Sequence, residues 1–373
     1  MTDIEYRIEH DTMGEVRVPK NALYAAQTQR AVENFPISGD ALDPAQIVAL
    51  ARIKKAAALA NRDLGTLDAQ IAEAIAAAAD EIIGGAHADQ FPIDVYQTGS
   101  GTSSNMNMNE VLATIATHSL GQTVHPNDHV NASQSSNDVF PTSVHVAVTQ
   151  ELIDDLIPAL DHLAVALEEK AELWKSVVKS GRTHLMDATP VRLGQEFGGY
   201  AMQMTRAVDR AHKALKAVHE LALGGTAVGT GLNCHPDFPP RAIAFISEKT
   251  GIEFREAENH FEAQSGKDAL VECHGQLNTI ATSLYKIAND VRLLGSGPRC
   301  AIGELSLPAT QPGSSIMPGK VNPVMCEMLV QACIYVQGLS QSVAMCGRDG
   351  HFELNVTLPL IAHCLHESIE CLS

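Results

Sequence analysis

Apolar positions recur at helical spacing over most of this chain, and the recurrence lengthens from its first third to its centre. Asp43-Pro44 pairs an N-cap side chain with a residue suited to the first helical position. Ile47, Leu50, Ile53 and Leu59 follow at helical spacing, and Gly65 closes the run. An alanine-rich helix is predicted from about Asp68 to Ile83, ending at Gly84-Gly85. Residues 97–109, QTGSGTSSNMNMN, break the pattern with almost no charge and many hydroxyl and amide groups, which predicts a polar, irregular segment. The first third is thus expected to alternate short helices with loops.

Beyond Asn137 the stripes lengthen. Val144, Val148, Leu152, Leu156, Leu160, Leu163 and Leu167 predict one helix from about Pro141 to Lys179, with a kink at Pro158. A second runs from about Val191 to Leu223 through Phe197, Tyr200, Met204, Val208, Ala211, Leu215 and Val218. A third carries Leu270, Cys273, Leu277, Ile280, Leu284, Ile287, Val291 and Leu294 at alternating steps of three and four, a heptad seam. Helices of this length need partners along their whole length, so the pattern predicts an all-α fold with a bundle assembled across subunits. Residues 1–136 form an N-terminal helical and loop domain in this reading, and 137–373 a central long-helix domain.

Charge and cysteine usage narrow the classes. A net charge of −18 over 373 residues argues against nucleic acid or an acidic membrane as partner. The opening MTDIEYRIEHDTMGEVRVP lacks a basic start and an apolar run, and no stretch of about 18 apolar residues occurs, so a soluble cytoplasmic protein is expected. The eight cysteines include no C-x-x-C pair and read as scattered, reduced core thiols.

Candidate chemistry gathers in the connections. Gly313-Ser-Ser-Ile-Met-Pro-Gly-Lys-Val-Asn-Pro323 holds two glycines and two prolines, which forbid a regular element. Asn322-Pro323 then reads as an N-cap and first helical residue. A helix start with Lys320 beside it suits an anion, and Ser314 and Ser315 bring hydroxyls to the same loop. His184 follows Gly181-Arg182-Thr183, and Glu327, one turn into the helix after Asn322, is of a type to orient an imidazole and raise its basicity. His125 and His129 stand four apart near Asp128, but Pro126 and Asn127-Asp128 disfavour a helix face there and no third ligand has a convincing spacing, so no metal is expected. Gly224–Gly231, GGTAVGTG, lacks the Lys-Ser/Thr ending of a phosphate loop and reads as a tight inter-helix turn.

The GSSIMPGKVNP loop resembles the signature of the fumarase/aspartase superfamily. Gln97–Thr102, His125–Asp128, Ser135–Asp138 and Gly181–His184 resemble that superfamily's site segments in its order, from about residue 5 to the chain end. Class II fumarases, which need no metal, are the nearest match, since aspartases usually carry Gln where this chain has His184. The resemblance implies a fumarase/aspartase-like helical fold, no cofactor, a small dicarboxylate substrate and hydration of fumarate to malate. It assigns Ser314 as the base and His184 with Glu327 as the pair that handles water. Ser100, Gly101, Thr102, Ser135, Ser136, Asn137, Thr183, Ser315, Lys320, Val321 and Asn322 would hold substrate. His125, Pro126, Asn127 and Asp128 would line a second anion site, whose charge balance is altered by His129 where the family commonly has Asp.

The resemblance also implies a homotetramer with sites shared among three chains. Ser135–Asn137 lies just before the first long stripe and Thr183-His184 just after it, and about 38 helical residues put these motifs roughly 57 Å apart. A sister lyase, such as an aspartase or a lyase of succinylated substrates, and a structural relative without activity are the alternatives. Family members continue past the segment Phe352–Val356 into a small C-terminal domain. Because this sequence stops at Ser373, the stripe Ile361, Leu365, Ile369 is expected to lack part of its cover.

Overall fold

The structure is a computed structural model and describes residues 5–373; Met1–Ile4, the start of the opening segment read above, lie outside the described residues. The chain forms two compact units. One takes in the chain up to Glu151, Lys216–Val271 and Ser342–His366; the other takes in Leu152–Leu215, Glu272–Gln341 and Glu367–Ser373.

The first unit opens on a feature that helical spacing does not reveal, an antiparallel hairpin of β1 (Tyr6–Asp11) and β2 (Gly14–Pro19). Val16 and Val18 alternate inward along β2 and are buried. Helix α1 (Ala26–Asn34) follows, then the two helices the spacing predicts, α2 (Pro44–Asp63) and α3 (Ala69–Ile83). Asp43 Oδ1 accepts from Ala45 N at 2.7 Å, the N-cap expected of it, and Asp68, where the second helix was expected to begin, caps that helix by accepting from Gln70 N at 2.9 Å.

Residues 97–109 depart from the irregular segment expected of them. Helix α4 (Thr102–Leu120) takes up most of the stretch and buries Asn105, Asn107 and Asn109. Their side-chain N–H groups find acceptors inside the fold, where Asn107 Nδ2 donates to the Gln90 carbonyl at 2.9 Å and Asn109 Nδ2 to Asn131 Oδ1 at 3.2 Å. Pairing of these N–H groups offsets much of the cost of burial, although the Asn105 and Asn109 side-chain oxygens are buried without a hydrogen-bond partner among the described residues.

The first long stripe is three consecutive helical pieces: α5 (Ser136–Glu151), a widened turn over Leu152–Leu156, and α6 (Ile157–Leu173). It starts five residues before Pro141 and stops short of Lys179. Pro158 has no N–H for the Asp154 carbonyl, and the helix widens just before it instead of only kinking. Lys179 belongs to a second hairpin, β3 (Val178–Thr183) with β4 (Met186–Arg192). Helix α7 (Leu193–Val218) ends before the expected Leu223, because β5 (Glu220–Leu221) pairs in parallel with β6 (Arg255–Glu256) after α8 (Phe238–Thr250). The short α9 (His260–Ser265) precedes α10 (Asp268–Leu294), whose heptad seam is buried from Leu270 to Ile287. Helix α11 (Val324–Gly347), a small hairpin of β7 (Gly350–His351) and β8 (Leu354–Asn355), and α12 (Leu358–Leu372) complete the chain.

The terminal stripe is not exposed. Ile361, Leu365 and Ile369 are 0%, 0% and 1% accessible, so the expectation of missing cover fails for these three side chains. Polar clamps hold α12 in place. His366 Nδ1 lies 2.6 Å from Glu151 Oε2 and its Nε2 lies 2.9 Å from Gln46 Oε1. Gln46 Nε2 is committed to Ser143 Oγ at 2.6 Å, which leaves Gln46 Oε1 to face the ring. Further along, Ser368 Oγ lies 2.9 Å from His274 Nε2. Replacing Glu151 with Ala removes the carboxylate that holds the buried His366 ring and should cost about 2 kcal/mol. Urea unfolding of the two proteins checks this, and equal midpoints and slopes would remove the clamp from the account.

Candidate active site

In the first unit, two glycines let a turn lie flush against its neighbours. A Cβ on Gly99 would fall 1.7 Å from the Val356 carbonyl oxygen, and one on Gly101, at φ +74°, 2.2 Å from the Phe140 ring. This seating brings three hydroxyls into a chain. Ser100 Oγ lies 2.7 Å from Thr102 Oγ1, which lies 2.7 Å from Ser136 Oγ. Thr102 and Ser136 are the first residues of α4 and α5, so the hydroxyls meet at two helix N-termini, an environment that favours a carboxylate. Ser135 Oγ accepts from Asn137 N at 3.2 Å, and Asn137 Nδ2 donates to the Ala227 carbonyl at 2.8 Å. The GGTAVGTG segment is therefore a turn, as read, but one laid against the Ser135–Asn137 motif. Lys54 and Asp138, which the sequence reading did not single out as site residues, are both fully buried beside this motif.

His125–Asp128 forms a widened helical turn with Val130 at its end. The His125 Nδ1 accepts from Asn127 N at 3.2 Å and Asp128 N at 3.1 Å, and His129 Nδ1 accepts from His125 N at 3.0 Å. Both rings cap backbone, and His125, Asn127 and Asp128 remain exposed while Pro126 is half-buried.

In the second unit, Thr183 pairs with Met186, which leaves His184 and Leu185 as a two-residue turn at the tip of the β3–β4 hairpin. Their φ values of 56° and 61° are the left-handed pair of a type I′ turn, where Asn-Gly is usual and a branched residue is strained. Both side chains are exposed. Strand β3 is fixed by charge both near its base and near the tip: Lys179 Nζ and Arg182 Nη2 each lie 2.6 Å from Glu304, and Lys179 also reaches Glu196 at 2.7 Å. Burial would raise the Glu304 carboxyl, but the hydrogen bonds from Arg182 and Lys179 prevail and hold it below its ordinary value.

The glycine- and proline-rich loop is closed on itself. Gly313 N donates to the Lys320 carbonyl at 2.9 Å and Asn322 Nδ2 to the Gly313 carbonyl at 2.6 Å. Asn322 thus ties the loop shut where it was expected to cap α11, and the helix starts one residue later than expected, with Glu327 N bonded to the Pro323 carbonyl at 3.1 Å. Ser314 Oγ accepts from Ile316 N at 3.3 Å and Met317 N at 3.1 Å. Ser315, Lys320 and Val321 face solvent, and Lys320 forms no ion pair among the described residues. Glu327 is half-buried one turn into α11, and no hydrogen bond or ion pair joins it to His184 within the chain.

Among the described residues, Asp43, Glu151 and His366 could offer ligands to a metal ion, with donor atoms within 4.8 Å of one another. Each is already committed, Asp43 to capping α2 and the other two to the α12 clamp, so a cation would have to displace those hydrogen bonds.

Residues 14–338 match the model of a family described as lyases. The class II fumarate hydratase of Corynebacterium glutamicum is 58% identical, with 100% of this chain and 79% of that protein covered. That of Mycobacterium tuberculosis is also 58% identical, covering 99% of this chain and 78% of its own length. Among solved structures, recombinant class II fumarase from Schistosoma mansoni matches with a TM-score of 0.97 at 41% identity, over 99% of this chain and 82% of that one. Fumarate lyase:delta crystallin from Brucella melitensis, bound to cobalt, matches with a TM-score of 0.95 at 45% identity, over 99% and 82%. With all the resembled motifs present and likeness along its whole length, the chain belongs to this lyase family, in its class II fumarate hydratase branch.

Proposed function

We propose that this protein catalyses the reversible, stereospecific hydration of fumarate to (S)-malate, a step of the tricarboxylic acid cycle, in the cytoplasm. The observation that carries the reading is the 58% identity to class II fumarate hydratases over the whole chain, with His184 at the position where aspartases usually carry Gln. The reading of its setting is supported by the absence, among the described residues, of any helix long and apolar enough to cross a membrane.

Hydration run in reverse needs a base for the C3 proton of malate, an acid for the departing hydroxyl and donors for the carboxylate that gathers charge in the carbanion. Ser314 is the base. An alkoxide is costly in water, but Ser314 Oγ faces the N–H groups of Ile316 and Met317, and Lys320 stands in the same loop. His184, held out on its strained turn, handles the hydroxyl, with Glu327 as the carboxylate that orients it. The Thr102 and Ser136 hydroxyls, Ser100, Gly101, Ser135, Asn137, Thr183, Ser315, Lys320, Val321 and Asn322 bind the two carboxylates. His125, Pro126, Asn127 and Asp128 form a separate anion site. Proton transfer and charge stabilisation suffice for this chemistry with no cofactor.

The working form is a homotetramer with sites shared between subunits. In support, no hydrogen bond or ion pair joins His184 to Glu327 among the described residues, and Ser135–Asn137 and Thr183-His184 flank one long helical run in the sequence. Two-fold axes through a bundle bring opposite helix ends of different copies together.

Replacing His184 with Gln should lower the hydration rate by about 10²-fold or more with unchanged circular dichroism; activity within a few-fold of wild type would remove it from the mechanism. Ser314→Ala should abolish turnover yet leave dicarboxylate affinity by calorimetry nearly intact, and loss of binding in step with rate would make Ser314 a binding group instead. Where one site takes His184 and Ser314 from different chains, mixing these two inactive proteins under subunit exchange should restore activity toward about one site in four. A mixture that exchanges and stays dead contradicts shared sites.

A further inference from the structure

Asp138 is fully buried, one residue beyond the motif that would bind a substrate carboxylate, and makes no contact a substrate needs. Its carboxylate instead gathers backbone. Oδ1 accepts from Ser135 N at 2.9 Å, while Oδ2 accepts from Gly224 N at 2.9 Å and Thr226 N at 3.0 Å, on a segment 86 to 88 residues away. Gly224 and Thr226 both have positive φ, 106° and 55°, so the turn folds its N–H groups inward around that oxygen as a nest around an anion. One residue on, the Ala227 carbonyl accepts the side-chain amide of Asn137. From the other side Gln264 Nε2 donates to the Thr226 carbonyl at 2.7 Å, and a Cβ on Gly225 would strike Gln264 Oε1 at 2.2 Å. The turn therefore has one seat.

Lys54, also fully buried, orders the approach to the same motif. Its Nζ donates to Asn131 Oδ1 at 2.9 Å and Gln134 Oε1 at 3.0 Å, and its charge faces Asp138. Burial pushes the amine down to about 7 against the pull of Asp138, and pushes the Asp138 carboxyl up against its three N–H donors and Lys54. A buried pair of this kind adds little net stability over an apolar pair of the same shape, so its use here is to fix geometry.

We infer that Asp138 is a positioning residue, which sets Ser136 and Asn137 for substrate by locking their segment to the Gly224–Gly231 turn, and that Lys54 supports it by tying down Asn131 and Gln134 just before the motif. This rests on the reading of Ser136 and Asn137 as carboxylate-binding groups. Asp138→Asn keeps the shape but turns one acceptor into a donor facing backbone N–H groups. The turn must withdraw, taking the Ala227 carbonyl from Asn137.

The test uses the full chain carrying D138N or K54M, with folding checked by circular dichroism. D138N should raise KM for malate about tenfold while kcat changes less than about threefold, the split expected when binding rather than chemistry is disturbed. The peptide spanning 222–230 should exchange its amide hydrogens at least about tenfold faster, as its local protection is lost. K54M should move KM in the same direction by about threefold or more. A folded D138N with wild-type KM, or one with unchanged exchange over 222–230, overturns the inference. If D138N does not fold, a folded K54M with unchanged KM overturns it. If the wild type does not act on malate, the functional reading fails by itself, and exchange over 222–230 in D138N still decides whether Asp138 locks the turn.

Discussion

Buried carboxylates that accept backbone N–H groups hold together the irregular parts of the first unit, and with them the polar groups of the candidate site. A loop has no ladder to pair its amides, and each buried N–H left without a partner costs about 1–3 kcal/mol. Asp94 accepts from Ser38, Gly39 and Tyr96, and Glu110 from Ala25, Gln27 and Thr28. Asp138 does the same for Ser135, Gly224 and Thr226. The outcomes differ with burial. For Asp94 burial works to raise the carboxyl, but the N–H donors win and hold it low; for Glu110 and Asp138 burial wins and raises it. In each case one acid fixes the relative place of segments far apart in sequence.

The second unit solves the positioning problem with strain and closure. His184 and Leu185 occupy a turn conformation that neither residue favours, and the ion pairs of Lys179 and Arg182 with Glu304 brace the strand that leads into it. The Gly313–Asn322 loop is closed by two hydrogen bonds to Gly313, where a Cβ would stand 2.4 Å from the Lys320 carbonyl oxygen. Stiff helices carry these connections, and the connections carry the side chains to which we assign chemistry.

Much of this was legible in the sequence. The spacing of Ile47, Leu50 and Ile53 gave α2, Asp68 and Gly84 bounded α3, and the heptad of Leu270 to Leu294 gave α10, because local propensity and burial agree there. Helix α4 was misread because Asn and Ser at 103–109 look like a solvated loop unless their partners, Gln90 and Asn131, are known. The β3–β4 hairpin escaped because the β4 face is exposed and carries no alternation, whereas the inward Val16 and Val18 of β2 did alternate and were passed over. Motif order named His184, Ser314 and Lys320 as candidates, and their roles remain our proposal. Asp138 and Lys54 stayed hidden because a buried acid or amine is known by its partners, which are distant in sequence. The terminal stripe of Ile361, Leu365 and Ile369 shows the same limit in reverse, since its cover comes from elements that a stripe does not name.

The central claim, that these connections serve hydration rather than release of an amine, turns on substrate choice. Following the absorbance of fumarate's double bond with malate, aspartate and argininosuccinate supplied side by side tests it most directly. The account predicts that absorbance rises with malate and stays flat with the other two. Fumarate formed from aspartate or argininosuccinate, with malate inert, would contradict it.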